Sequence, residues 1–434
     1  MSDSIPSSVI IGAGRSGLAA EALLQSEEIP TSLFDEQTHT IQDLIEHCDA
    51  SVIDRAIMSP GFSLTHPWCD VLRQYSIPLC SEIELGWSRF KGKTIAVTGS
   101  NGKSSAVKWI SEILKLVGED VVLAGNYGIP ASEAVLKHAD ADWLVLEVSS
   151  FQLETVQNFS PVVGILLNVL PNHLDRHDST DVYTSIKGRI FGPSFSSETH
   201  AILPLDLMDS YKKELKTAAS VLNFGTSTRA DYVASEGVIK WQAQPLLDLR
   251  GTYFETSHLL ESSGVAVAAL MHKLEIDMAF VQQAASLFEG LSHRFERLGI
   301  VQGVVCLNDS KATNLAAMAA AVRSCEGKVH LLAGGLLKES DLTFVKEILV
   351  EKVSRLYVFG ESAFKMQAAW GDAVACSSVS SLEEAFELAC EQAASGESIL
   401  LSPGCASFDQ FSGFEERGDQ FRSLVSGWKE KGRS

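Results

Sequence analysis

Residues 94–105 read TIAVTGSNGKSS, an apolar β-rich run that breaks into a glycine-punctuated turn and ends in Lys103, Ser104 and Ser105. Such a turn is built to hold phosphate. Gly99 and Gly102 let the backbone bend tightly and turn successive N–H groups, those of Ser100 and Asn101 among them, toward an anion. A helix starting near Lys103 aims the positive end of its dipole at the same point. Lys103 is then expected to reach the terminal phosphates of a nucleotide, and the Ser104 hydroxyl to ligate Mg²⁺. The spacing departs from the full GxxxxGK[ST] loop, because Val97 stands where the first glycine belongs. Downstream, Val107, Ile110, Ile113, Leu114 and Val117 recur at steps of three and four, as a helix packed on a sheet requires.

Outward from this loop, short apolar runs alternate with longer helical patterns, the signature of parallel α/β sheets. Strands are expected at Ser8 to Ile11, Thr94 to Thr98, Val121 to Ala124, Trp143 to Val148 and Val162 to Leu167. After position 300 they recur near Gly303 to Leu307, Val329 to Ala333, Arg355 to Phe359 and Ser398 to Leu401. A chain of 434 residues has room for three domains at roughly 150 residues each. Charged residues interrupt the apolar pattern in RFKGK near Lys91 and in SHRFER near His293, which divides the chain into 1–90, 91–292 and 293–434.

The composition, 45% hydrophobic and 21% charged, is that of an ordinary globular protein. A formal charge of −20 argues against a general nucleic-acid or anionic-membrane surface, though it leaves room for a local basic pocket. The eight cysteines, at 48, 69, 80, 306, 325, 376, 390 and 405, show no zinc spacing and read as reduced core thiols. No apolar stretch is long enough to span a membrane, and the opening MSDSIPSSVIIGAG lacks the basic region of a signal peptide. A cytoplasmic location is therefore expected.

A second glycine turn opens the chain. In VIIGAGRSG, Gly12, Gly14 and Gly17 form GxGxxG between a strand and a helix, and Asp35 closes the next strand, TSLFD. Alone, this is the dinucleotide fingerprint of an NAD or FAD oxidoreductase. A glycine-lined helix N-terminus binds any diphosphate, however, and two phosphate sites in one chain suit a transferase or ligase better. Three further segments carry dense polar groups beside strand ends: EVSSFQLE with Glu147, Ser149, Ser150 and Gln152, then LNVLPNHLDRH with Asn168, Asn172, His173, Asp175, Arg176 and His177, then LNDSKATN with Asp309, Ser310, Lys311, Thr313 and Asn314. Glu147 is a plausible Mg²⁺ ligand. Asp309 or Thr313 can be explained as a helix cap, but Lys311 cannot.

The set TGSNGKS, GNYG (Gly125 to Gly128), EVSSFQLE, NHLDRH, SHRFE, NDSKATN and SPGCASFDQFSGFEERG resembles the Mur ligases, in the family's order and over nearly the whole chain. The combination of EVSSFQLE, NDSKATN and SPGCASFDQF points to the D-glutamate-adding branch. The resemblance implies three α/β domains: a Rossmann-like UDP-substrate domain, a central ATPase domain of P-loop type with a mostly parallel sheet, and a C-terminal Rossmann-like domain for the amino acid. It implies that the carboxylate of UDP-MurNAc-L-Ala attacks the γ-phosphate of ATP and that D-glutamate takes the acyl phosphate. It also implies a monomer. A folylpolyglutamate synthase is the nearest alternative within the superfamily.

The roles that follow are likewise implied by the resemblance. Gly99 to Ser105, with Arg294, Asp309, Lys311 and Asn314, would bind ATP. Ser104 and Glu147 would hold one Mg²⁺, and His173 with a carbamylated Lys187 a second, so that Lys103, His173 and Lys187 are the catalytic set. Gly14, Arg15, Ser16, Asp35, Ser59, Gly61, Asn126, Ser149, Gln152 and His173 would face the UDP substrate. Thr313, Lys338, Ser407 and Phe414 would surround D-glutamate. Without the resemblance, Lys187 reads as a solvated side chain and Phe414 as a core residue. Two departures stand out: Asn172 replaces the usual Asp of DHLDRH, and GGLLKESD replaces a more usual GG-x-DKG around Lys338.

Overall fold

The apolar runs become strands of three sheets. The computed structural model describes residues 7–170, 174–177, 179–192, 199–217, 220–255, 258–337, 339 and 341–431. Strands β1 (Ser7–Ile11), β2 (Thr31–Phe34), β3 (Ile53–Met58) and β4 (Leu79–Ser81) form a parallel sheet in the order β2-β1-β3-β4. Val9 and Ile11 enter one apolar cluster and Ile10 another, so the unbroken Val/Ile run of β1 is that of a strand covered on both faces.

Among the described residues the second sheet has nine strands: β5 (Lys93–Thr98), β6 (Val121–Gly125), β7 (Trp143–Glu147), β8 (Val163–Leu166), β9 (His200–Pro204), β10 (Ser220–Gly225), β11 (Tyr232–Ser235), β12 (Val238–Trp241) and β13 (Gln244–Asp248). Their order is β13-β12-β11-β10-β9-β8-β5-β7-β6. Among the described residues, the antiparallel pairs of this sheet are β11 with β12 and β12 with β13. Strand β5 lies between β7 and β8, where the strand order reverses, and open α/β sheets bind ligands outside the carboxyl ends of strands at that position. The helix Lys103–Leu116 follows β5 and buries Val107, Ile110, Ile113 and Leu114, as their spacing predicts. It also buries Trp109, whose ring stacks on Phe254 at 4.2 Å.

The third sheet runs β14-β15-β19-β16-β17-β18, from β14 (Glu296–Val301), β15 (Val304–Asn308), β16 (Val329–Gly334), β17 (Val353–Phe359), β18 (Cys376–Ser378) and β19 (Ser398–Leu401). It is parallel except for β14 against β15.

The chain divides into two compact units, Met1–Phe288 with the first two sheets and Glu289–Ser434 with the third. Within the first unit, the helix Glu82–Trp87 packs against the helix Ala131–Lys137 so closely that a Cβ on Gly86 would stand 2.5 Å from the Ala131 carbonyl carbon. There the Glu82 carboxylate accepts the Ser132 N–H at 2.7 Å, and burial pushes the Glu82 pKa up to about 7. All eight cysteines are free thiols. Among the described residues no helix is long and apolar enough to cross a membrane.

Candidate active site

The phosphate loop leaves the end of β5 with Gly99 at φ +156° and Gly102 at φ +85°, and Gly102 caps the helix that Lys103 begins. A side chain at Gly99 would press to 3.0 Å from Leu167 Cβ in a backbone conformation that favours glycine. From the end of β8, Asn168 braces the turn: its Oδ1 accepts the N–H of both Ser100 and Asn101 at 3.0 Å, and its amide donates to Asn101 O at 3.1 Å. Ser100 is held further by Leu170 and by the Tyr183 hydroxyl at 3.1 Å. Lys103 Nζ folds back over the loop to Gly99 O at 2.9 Å and Ser100 O at 3.1 Å.

Two buried groups face this turn from neighbouring elements. Glu147, at the end of β7, accepts from the Ser104 hydroxyl through one oxygen and from Asn126 Nδ2 at 2.6 Å through the other. Glu147 and Ser104 are almost fully buried. Lys187 lies in the helix Thr180–Gly188 and is only 1% exposed, which overturns the solvated reading of that residue. Its Nζ donates to Gly99 O at 2.9 Å and stands 3.4 Å from Thr98 Oγ1. Burial, and then the neighbouring Lys103 charge, hold the Lys187 pKa well below its ordinary value. Ser105 is buried in the helix, while Ser149 and Gln152 form a capping box at the start of the helix Ser150–Leu153. His173, and Asn172 beside it, lie outside the described residues.

The first sheet carries the second glycine turn. Ala13 N–H donates to Asp35 Oδ2 at 2.8 Å and Gln37 N–H to Oδ1 at 3.0 Å, and these bonds, Ala13 first, hold the Asp35 carboxyl below its ordinary pKa. A Cβ on Gly17 would fall 1.8 Å from Gly12 O, so this glycine permits the helix to lie against the strand end. Ser59 donates to Gly12 O at 3.1 Å. Gly14, Arg15 and Gly61 are exposed and Ser16 is half-buried. Arg15 Nη2 reaches Gly128 O at 3.3 Å, next to the loop that carries Asn126.

The second unit gathers its own set at the ends of β15, β16 and β19. Asp309 accepts from the Ser402 hydroxyl at 2.8 Å and from Phe295 N–H at 3.0 Å, and burial raises its pKa to about 7. Lys311 Nζ sits 3.7 Å over the half-buried Phe414 ring. Asn314 caps the helix Leu315–Ser324 by accepting Ala317 N–H at 2.8 Å. Thr313 and Arg294 are half-buried, Ser407 is buried, and Lys338 lies outside the described residues.

Arg417 ties these segments together. Completely buried, it donates to Ser310 Oγ and O at 3.0 and 2.8 Å, to Cys405 O at 3.1 Å and to Gly334 O at 3.3 Å, and burial lowers its pKa to about 10. Sequence reasoning gave no role to Arg417, Tyr183 or Asn168. Arg417 sits in the charged run FEERGDQF and carries no local mark of burial. Asn168 carries one local mark, its place just past an apolar run.

Among the described residues no three His, Cys, Asp or Glu side chains come together as a metal cage. Glu147 and Ser104 offer two oxygens beside the phosphate loop. That set fits a hard cation that completes its shell with waters and substrate phosphates, and not one held by protein alone.

Two family models match the chain: the Mur ligase middle domain over residues 97–257 and the Mur ligase, glutamate ligase domain, over 293–405. The UDP-N-acetylmuramoylalanine–D-glutamate ligase of Acidobacterium capsulatum is 32% identical, covering 96% of this chain and 95% of its own. That of Koribacter versatilis is 33% identical over 96% of each chain, and that of Chlorobium phaeobacteroides 35% over 96% and 97%. Among solved structures, the MurF ligase of Thermotoga maritima in complex with ADP aligns with a TM-score of 0.62 at 16% identity, covering 91% of this chain and 92% of the other. A bifunctional folylpolyglutamate synthase/dihydrofolate synthase of Yersinia pestis, solved with AMPPNP and a manganese ion, aligns at 0.60 and 16%, covering 79% and 92%. At these identities the structural likeness is one of fold, whereas the sequence relatives match over 96% of this chain. The chain belongs to the Mur ligase family, in the branch of the UDP-N-acetylmuramoylalanine–D-glutamate ligases.

Proposed function

We propose that this protein is an ATP-dependent, amide-forming ligase of cytoplasmic peptidoglycan precursor synthesis that adds D-glutamate to UDP-N-acetylmuramoyl-L-alanine. One carboxylate oxygen of the muramoyl substrate attacks the γ-phosphorus of ATP and ADP leaves. The D-glutamate amine then attacks the acyl carbon, loses a proton and releases phosphate. A carboxylate is a poor electrophile, and phosphorylation makes it a good one. The observation that carries the reading is the convergence of Lys103, Ser104, Glu147 and Lys187 on one glycine turn, from positions up to 84 residues apart, in a chain that matches its relative over 96% of its length.

In this reading Lys103 leaves its carbonyl partners for the ATP phosphates and steadies the charge that develops in transfer. Ser104 and Glu147 would hold one magnesium, and His173 with a carbamylated Lys187 a second; magnesium supplies charge neutralisation between two anionic reactants. A buried lysine kept toward its neutral form is chemically suited to carbamylation, which turns a cation into an anionic ligand. Gly14, Arg15, Ser16, Asp35, Ser59, Gly61, Asn126, Ser149 and Gln152 are assigned to the UDP substrate. Arg294, Asp309, Lys311 and Asn314 are assigned to the nucleotide, and Thr313, Lys338, Ser407 and Phe414 to D-glutamate. Asp309 holds Ser402 and Phe295 and Asn314 caps the helix Leu315–Ser324, so their nucleotide roles would act largely through the shape of the loop. The functional division proposed is 1–90 for the UDP substrate, 91–292 for ATP and 293–434 for the amino acid, working as a monomer.

The test is phosphate release with ATP and UDP-N-acetylmuramoyl-L-alanine, crossed against D-Glu, L-Glu, L-Ala, L-Lys and meso-diaminopimelate. Turnover with D-Glu alone supports the proposal. Turnover only with a folate and L-Glu would move the chain to the folylpolyglutamate class.

A further inference from the structure

Three polar groups of the sequence motifs take no part in the chemistry above: Glu154 in EVSSFQLE, and Arg176 and His177 in NHLDRH. They meet in one cluster. Arg176 Nε and Nη2 lie 2.9 and 2.6 Å from the two Glu154 oxygens, a bidentate pair whose side chains are only 11% and 6% exposed. The guanidinium lies 4.0 Å over the Phe151 ring. His177 joins from the other side, with Nδ1 3.4 Å from Glu154 Oε1 and Nε2 3.0 Å from Ser150 Oγ.

An ion pair this far from water loses much hydration, and it persists only where its remaining donors are filled. Arg176 fills them in the loop that follows β3. Nη1 donates to Pro60 O at 2.9 Å and Nη2 to Phe62 O at 2.7 Å. These two carbonyls flank Gly61, which is exposed and has nothing within 4 Å of where a Cβ would stand. The same short loop is tied at its start to the first glycine turn through Ser59 and Gly12 O, and at its end to Trp68, on which Phe62 stacks at 5.8 Å. A planar fork with five donors can serve a carboxylate and two carbonyls at once, which an ammonium cannot.

We infer that Arg176 is a positioning residue for the UDP-linked substrate: it holds the loop of residues 59–62 against the helix Ser150–Leu153, and Glu154 sets the orientation of its guanidinium. Ser59 and Gly61 on one side, and Ser149 and Gln152 on the other, thereby keep a fixed spacing. The inference rests on the proposed reading of those four residues as substrate contacts.

Arg176→Lys keeps a cation beside Glu154 and so avoids stranding a buried carboxylate, but it cannot span all four acceptors. The KM for UDP-N-acetylmuramoyl-L-alanine is expected to rise about tenfold, the loss of one charged hydrogen bond, with kcat and the KM values for ATP and D-glutamate unchanged. In the same variant without substrate, the amides of residues 59–66 are expected to exchange hydrogen faster than in the wild type. Glu154→Gln, which leaves the carbonyl bonds in place, is expected to give the same pattern more weakly. An unchanged KM for the UDP substrate overturns the inference, as does a fall in kcat with all KM values unmoved. Unchanged exchange in residues 59–66 also overturns it. The exchange arm needs no activity, so a wild-type protein that fails to turn over the muramoyl substrate refutes the ligase reading separately from the claim that Arg176 holds the loop.

Discussion

The first unit contains two glycine turns of the same local design, strand then glycines then helix, and they are finished differently. In the turn at Gly12–Gly17 a strand-end acid, Asp35, takes one loop N–H, and the side chain that leaves the turn is the exposed Arg15. In the turn at Gly99–Lys103 the neighbouring strand ends bring a buried acid, Glu147, and a bracing amide, Asn168, and the helix Thr180–Gly188 brings a buried amine, Lys187. A glycine turn makes room for phosphate. In the proposed reading, what stands beside the turn decides whether phosphate is only held or is also transferred.

The largest effect that tests this contrast is Lys103→Ala. It removes the charge that the proposed reading places on the ATP phosphates, and kcat is expected to fall at least a hundredfold, since loss of one preorganised electrostatic contact costs about 3 kcal/mol or more in the barrier. Thermal denaturation is expected to show a folded protein, and normal turnover would remove the ATP reading of this loop. Lys187→Ala comes next. Steady-state assays are expected to find almost no activity, with partial recovery when short carboxylic acids are added, because an acid can occupy the space of the lost carbamate. Normal activity without added acid would return Lys187 to a packing role.

Asp35→Asn probes the quieter turn. The variant keeps the shape but weakens a charged acceptor for Ala13 N–H, a bond worth about 1.5–3 kcal/mol in full. Titrations of each substrate are expected to raise the KM for the UDP substrate severalfold and leave kcat alone. A kcat loss comparable to that of Lys103→Ala would erase the distinction between the turns.

The smallest effect concerns two acids that sit at strand ends in opposite protonation regimes. Asp35 is held ionised by backbone donors, and Asp309 is held toward its protonated form by burial, with a pKa of about 7. Between the ordinary aspartate value and about 7, the folded chain keeps a proton on Asp309 that the unfolded chain releases. Stability from this residue is therefore greatest at low pH and declines as pH rises through that window, by up to about 1.4 kcal/mol per pH unit. Urea unfolding of wild type and Asp309→Asn from pH 4 to 8 is expected to show a shallower decline in the variant, and parallel curves would contradict the burial argument.

Much of this was legible in the sequence because buried parallel strands leave apolar runs of four to seven residues bounded by glycine or acid, as at 94–98, 143–147 and 329–334. Strands β9 to β13 were not read. In β9 the apolar run is only Ala201 to Leu203, while in β10 half-exposed residues such as Ser220, Val221 and Leu222, and beyond it the short hairpin turning at Gly237, carry neither a continuous apolar run nor a strong alternation. In the site, Lys103, Ser104 and Glu147 announce themselves by adjacency to glycine or to a strand end. Lys187 does not. Its helix reads as amphipathic with one more solvated lysine, and only the three-dimensional approach of that helix to Thr98 and Gly99 buries the amine. Arg417 and Glu154 are hidden for the same reason, since partners at 310 and 405 for the one and at 176 for the other leave no local spacing to read.

The most direct test of the central claim follows an oxygen atom. UDP-N-acetylmuramoyl-L-alanine labelled with ¹⁸O in the alanine carboxylate is incubated with ATP, D-glutamate and the enzyme, and the released phosphate is examined by mass spectrometry. Activation through an acyl phosphate predicts that each phosphate carries one labelled oxygen, with formation of the D-glutamyl amide in equal amount. Phosphate released without label, or an amide formed without ATP, would contradict the account.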